Sequence, residues 1–170
     1  FRDIPSRFNS MLIWNQTEVL VLRKDHPIGN RAVTQEDLLH YPLVVVSLGG
    51  TEEGAVGGFI MERGLARQSE MFDRQALESA YSETPPRLRI SVAHSLVIPA
   101  LLRNSDMIAL VPSSIGREFE RHGELMMRQT PYAASSSPVR AVWLARSEHD
   151  PALKWFRGQI ADMAAHVHCH

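Results

Sequence analysis

His94 and Ser95 are adjacent in the stretch ISVAHSLVIPALLRNSDMIALVP, residues 90–112. A nucleophilic serine needs a base side chain facing it within hydrogen-bond reach. Neighbours across the start of a helix seldom face each other in that way, and no G-x-S-x-G elbow is present. Catalysis by this pair is therefore disfavoured. Two readings remain: Ser95 as a helix cap, or His94 as a contact to a bound ligand.

A second group lies at Leu43–Ser47 (LVVVS), which runs into LGGTEEGAVGG. Gly49, Gly50, Gly54, Gly57 and Gly58 do not give G-x-G-x-x-G, and no P-loop lysine follows, so a nucleotide site is disfavoured. A tight turn feeding a helix fits. So does a small-anion site, in which backbone N–H groups at a helix N-terminus attract a carboxylate. Ser47 and Thr51 would add hydroxyl donors. Ser113-Ser114 after Pro112 opens a third helix, with capping as its default role. Trp143 lies in a late strand, where core packing is favoured slightly over a ligand contact.

Metal chemistry has little support. His26, His40, His94, His122 and His149 are isolated. Only His166, His168, Cys169 and His170 cluster, and a frayed terminus is a poor place for a preorganised site. No metal and no cofactor is expected.

Composition narrows the function classes. The 18 basic and 19 acidic residues leave a net charge of -1. No basic excess exists to neutralise many phosphates, so this chain alone is a poor nucleic-acid binder. The single cysteine excludes an intrachain disulfide and mildly favours a reducing compartment. No apolar run approaches the roughly 18–20 residues of a membrane span.

The elements that must position these residues follow from periodicity. MLIW (11–14) and EVLVLR (18–23) are β-rich runs split by Asn15-Gln16-Thr17, and predict hairpin-like or consecutive edge strands. Thr34 with Gln35, Glu36 and Asp37 predicts a capped helix that Pro42 closes. LVVVS reads as a strand buried on both faces, with helices on each side of its sheet. Helices are expected over 55–63, stopped by Gly64, and within EMFDRQALESAY (70–81). Further strands are expected at 87–92, 107–111, 125–128 and 139–145, and helices at 95–103, 113–122 and 151–166. Pro99 is tolerable in a first helical turn. The last helix starts on Asp150-Pro151 and carries an apolar stripe of Leu153, Phe156, Ile160 and Met163. The alternation predicts an α/β fold.

The order of these motifs resembles the effector-binding domain of LysR-type transcriptional regulators. EVLVLRKDHPIG, TQEDLLHYPLVVVS with its glycine turn, FIMERGL, ISVAHSLVIPALLRNSDMIALVP and VWLARSEHDPALKWFRGQI carry the match. The subgroup of nodulation and aromatic-compound regulators is the most similar in flavour. The resemblance covers about Glu18 to Ile160 and rests most on D-H-P after a strand together with S-D-x-I-A-L-V-P.

The resemblance implies a two-lobed fold like type 2 periplasmic binding proteins, with mixed sheets and a cleft for a small effector. Glu18–Arg23 would be the first crossover strand and 139–145 the return. Residues 24–138 would form the second lobe, and residues 1–23 with 139–170 the remainder of the first. The opening of that lobe and an N-terminal helix-turn-helix domain would lie outside this sequence, leaving core surface uncovered. Effector contacts are implied at Ser47, Leu48, Gly49, Gly50 and Thr51, at His94 and Ser95, and at Val142 and Trp143. The implied function is cytoplasmic sensing of a small carboxylate or aromatic effector by a homodimer or homotetramer, with DNA bound only through the helix-turn-helix domain. A solute-binding protein of a transport system, with the same fold, is the alternative. An enzyme is not expected.

Overall fold

The computed structural model describes residues 4–47, 55–56, 59–62, 65–68, 71–81, 89–134 and 136–168. In chain order, β1 (Phe8–Gln16) and β2 (Glu18–Arg23) precede α1 (Gln35–His40) and β3 (Leu43–Val46). Next come β4 (Ala55–Val56), β5 (Phe59–Glu62), β6 (Leu65–Gln68), α2 (Arg74–Ala80) and β7 (Arg89–Val92). A 3-10 turn at Ser95–Val97 leads into α3 (Ile98–Arg103), then β8 (Ile108–Pro112), α4 (Ser113–Arg121) and β9 (Leu125–Arg128). β10 (Ser137–Leu144) and α5 (Pro151–His168) follow.

The main sheet has the order β7-β3-β8-β2-β9. β3 runs parallel to β7 and β8, while β2 runs antiparallel to β8 and β9. Helices cover both faces, as the uninterrupted apolar runs require. On one face Leu20, Leu22, Leu43, Val45 and Leu110 pack with Leu38 of α1 and Leu77 of α2. On the other, Val19, Val21, Val44 and Val46 pack with Ile98 and Leu102 of α3 and Phe119 of α4.

Two expected arrangements are replaced. The runs 11–14 and 18–23 were expected as hairpin-like or consecutive edge strands, yet β1 and β2 do not pair. β1 pairs antiparallel with β10 in a separate two-stranded ribbon, from Phe8↔Leu144 to Gln16↔Ser137. β2 lies inside the main sheet, because Val19 to Leu22 are all buried and an edge would leave one side of that run unpaired. The expected helix over 55–63 is instead strand: β4, β5 and β6 form an antiparallel sheet. The physical reason is local. Gly57 and Gly58 cost a helix about 1 kcal/mol each, while Val56, Phe59 and Ile60 favour a pleated surface.

Other elements match their expected positions. Thr34 caps α1 in a reciprocal box: its hydroxyl accepts from Asp37 N, and the Asp37 carboxylate accepts from Thr34 N at 2.8 Å. Arg31 grips the same carboxylate through two 2.6 Å hydrogen bonds, holding it well below the usual carboxylate range. Thr34→Ala should therefore cost about 1 kcal/mol, read as a fall in the midpoint of urea denaturation with an unchanged slope.

The D-H-P and S-D-x-I-A-L-V-P motifs meet in space. His26 is buried; its Nε2–H donates to Asp106 O at 3.1 Å, and its Nδ1 accepts from Ile28 N at 3.1 Å. Arg23 pairs with the Asp106 carboxylate at 2.8 Å. The two motifs are one structural joint that ties the end of β2 to the start of β8.

α5 packs against β1 and extends to His168. Its expected apolar stripe is only partly covered. Ala164 is buried, while Phe156 is 54% and Met163 68% exposed, beside Trp155 at 67%. A two-stranded ribbon is too narrow to cover the whole apolar face. Gly158 lies mid-helix with open space where a Cβ would sit. Gly158→Ala is expected to raise stability by about 0.5–1 kcal/mol, seen as a higher melting temperature.

Candidate functional site

The carboxyl ends of β3, β7 and β8 open on one side of the main sheet, and antiparallel β2 begins there. Ligands in α/β sheets gather outside such strand ends. From one edge of the sheet to the other, this side carries His94 after β7, Ser47 after β3, Ser113 after β8, Glu18 at the start of β2, and Thr130 and Tyr132 beyond β9.

Ser47 and His94 come together through strand pairing. Val46 pairs with Val92, and Ser47 N donates to Val92 O at 3.0 Å. Ser47 is half-buried and His94 exposed. His94 occupies the cap position of the 3-10 turn without a side-chain cap hydrogen bond, and Val97 caps α3 likewise without one. Ser95 is therefore not the cap of either element, which removes the capping reading. Leu48, Gly49, Gly50 and Thr51 lie outside the described residues. The expected helix N-terminus after them is strand in the structure, so a helix dipole is not available to hold an anion there.

Val142 and Trp143 are placed elsewhere. They pair with Ser10 and Asn9 in the ribbon. Asn9 is seven residues before Gln16, which puts Trp143 about 23 Å along the strand from the ribbon's junction with the sheet. Its ring lies 4.4 Å beneath the Arg157 guanidinium, and its Nε1 donates to Glu148 at 2.6 Å. Asn9 donates to the same carboxylate oxygen at 2.6 Å. These bonds, with Arg157 nearby, hold Glu148 below the usual carboxylate range. Trp143 fixes α5 against the ribbon rather than joining Ser47 and His94.

Ser113 and Ser114 do not take their expected capping role: the cap position of α4 is Pro112, with no side-chain cap hydrogen bond. The Ser113 hydroxyl takes hydrogen bonds from Gln16 Nε2 at 2.9 Å and Thr17 Oγ1 at 3.2 Å, and Ser113 N donates to Thr17 O at 2.9 Å. Ser114 Oγ donates to Gln16 Oε1 at 3.0 Å. Both serines pin the point where the ribbon becomes the sheet.

Sequence reasoning also missed Glu18, Asp73 and Tyr132. Residues 71–73 cross the strand ends: Met71 N donates to Val46 O at 3.0 Å, and Asp73 N donates to Glu18 Oε1. Burial pushes the Glu18 carboxyl up to about 7, and the Tyr132 hydroxyl is also raised by burial. A signal was present. With a period of two, Glu18 falls on the same face as Leu20 and Leu22, so a charge opening EVLVLR is directed inward. Among the described residues no group of three or more His, Cys, Asp or Glu side chains could hold a metal ion, and no helix is long and apolar enough to cross a membrane.

The LysR substrate binding domain family model matches residues 2–165. The chain belongs to the LysR substrate-binding domain family. It is similar to the HTH-type transcriptional activator NagR of a Ralstonia species, at 23% identity over 161 residues that make up 95% of this chain and 47% of NagR. The chain thus spans about half the length of that relative. Among solved structures it is similar to a transcriptional regulator from Vibrio parahaemolyticus, with a TM-score of 0.75, 18% identity, and coverage of 99% of this chain and 70% of that one. The regulatory domain of MexT, a transcriptional activator in Pseudomonas aeruginosa, gives a TM-score of 0.67 at 20% identity, covering 94% and 69%. As a LysR substrate-binding domain, the chain is a regulatory ligand-binding module and not an enzyme. These relatives favour the regulator over the transport protein of the same fold.

Proposed function

We propose that this LysR domain senses a small organic acid or aromatic effector at the strand ends around Ser47 and His94, and passes the binding event to DNA-dependent transcription. The observation that carries the reading is the placement of Ser47 and His94 on adjacent strand ends, beside the Ser113–Gln16–Thr17 joint. A ligand seated there touches the main sheet close to the point from which the ribbon departs. It shifts the angle between the two bodies only if it binds one arrangement better than the other. The lobe division on this reading falls at Thr17 and near residue 136, so that β2 goes with the second lobe. A cytoplasmic homodimer or homotetramer, reaching DNA through a helix-turn-helix domain outside this sequence, completes the proposal.

The test is calorimetry with aromatic carboxylates on the chain and on His94→Ala. Loss of one ligand hydrogen bond at an exposed residue should weaken affinity about tenfold, with a nearly unchanged melting temperature because His94 makes no cap bond. Unchanged affinity would remove His94 from the site.

A further inference from the structure

Glu18 Oε2 and Tyr132 OH are both buried and have no hydrogen-bond partner among the described residues. Buried polar atoms are nearly always paired, so each orphan calls for an explanation. These two belong to one place. Glu18 shares its strand face with Leu20 and Leu22, and Tyr132 packs against the cluster those leucines form with Phe72, Leu77 and Tyr81. The charge of Glu18 is felt at the Tyr132 hydroxyl. The other Glu18 oxygen is already taken by Asp73 N, which fixes the carboxyl and leaves Oε2 as the free acceptor. Tyr132 is fixed too, since Thr130 Oγ1 donates to its carbonyl at 2.9 Å.

We propose that Glu18 Oε2 and Tyr132 OH form a polar subsite for a hydroxyl or amine group of the effector. The subsite lies at the same strand ends as Ser47 and His94, and it rests on the effector-site reading given above. Its chemistry is selective. Ionised, as it is above about pH 7, Glu18 Oε2 accepts only, so it then rejects a second carboxylate and welcomes O–H or N–H. The phenol can both donate and accept, so it completes the pairing of a hydroxyl and tolerates an amine. Ser47 is in phase with Leu43 and Val45, whose side chains lie on the same face as Leu20 and Leu22. Residues 71–73 pass between the two, bonded to Val46 at one end and to Glu18 at the other.

Calorimetry with benzoate, its three monohydroxy derivatives and its three monoamino derivatives tests the subsite. At least one substituted compound is expected to bind tenfold tighter than benzoate. Glu18→Gln and Tyr132→Phe should each reduce that preference to within twofold of unity, with melting curves confirming that both variants fold. A preference that survives in both variants overturns the subsite, as does failure of every compound to bind; the orphaned atoms would then hold water only. Ser47→Ala and His94→Ala separate the two readings. If they weaken benzoate but Glu18→Gln leaves the preference intact, the effector site stands and the subsite falls. If neither changes any affinity, the site itself falls and the subsite with it.

Discussion

Gly116→Val is expected to lower stability by about 3 kcal/mol and the melting temperature by roughly 6–12 °C. Gly116 is buried in α4 where that helix rests on β2 and β9. A Cβ there would lie 2.6 Å from Val19 Cγ2, 3.2 Å from Met127 Sδ and 3.4 Å from Val21 Cγ2. The methionine can swing aside, but Val19 is β-branched and held in a central strand, so it has few rotamers to move into. The helix must then lift, and it would loosen Phe119 and the second core cluster as it does. Because α4 begins at Ser113, a lifted helix also strains the bonds to Gln16 and Thr17. The substitution should therefore weaken the ribbon-to-sheet joint along with the core. Thermal melts followed by circular dichroism check the first effect. An unchanged melting temperature would mean that α4 packs less closely on β2 than this geometry requires.

The main sheet was legible because its strands are uninterrupted apolar runs. LVVV and IALV have nowhere to go but between layers, and α1 on one of their faces carries a readable start at Thr34. What periodicity could not supply was pairing. β1 and β2 are neighbours in sequence with good strand patterns, yet their partners are more than 85 positions away in β8, β9 and β10. Nothing local states that. Residues 55–62 failed for a different reason: the glycines in AVGGFIME were read as a turn ahead of a helix, when they also suit closely spaced strands. At the candidate site, Ser47 and His94 were singled out because each follows a run with a strand pattern, LVVV and the alternating RLRISV. Trp143 was given a ligand role by resemblance, and its contacts with Glu148 and Arg157 are invisible without coordinates. Glu18 was missed because a glutamate at a strand end is ordinarily solvated. Only its phase with Leu20 and Leu22 marked it as different.

Glu18→Gln is expected to stabilise the unliganded chain by about 2 kcal/mol above pH 8. The carboxyl titrates at about 7 in the folded chain against an ordinary 4.5. At about 1.36 kcal/mol per pH unit, ionising it inside the fold costs up to about 3 kcal/mol, and partial access of solvent to the strand ends screens some of that. The sign follows from the raised value. Glu18 costs nothing well below pH 4.5, where it is neutral folded or unfolded, and its penalty grows between about pH 4.5 and 7 and levels off above that. The difference between variant and parent should thus be small near pH 4.5 and reach its full size near pH 8. His26 works in the opposite direction, since burial lowers its titration and acid then favours the unfolded chain. It is identical in both proteins and cancels from the difference. Urea denaturation from pH 4.5 to 8.5 reads this directly, and a difference independent of pH would show that Glu18 is not held in the buried, half-paired state described. A residue that weakens the empty fold and gains a partner when a hydroxyl or amine arrives is a source of binding energy. The same substitution should therefore make the chain more stable and less discriminating.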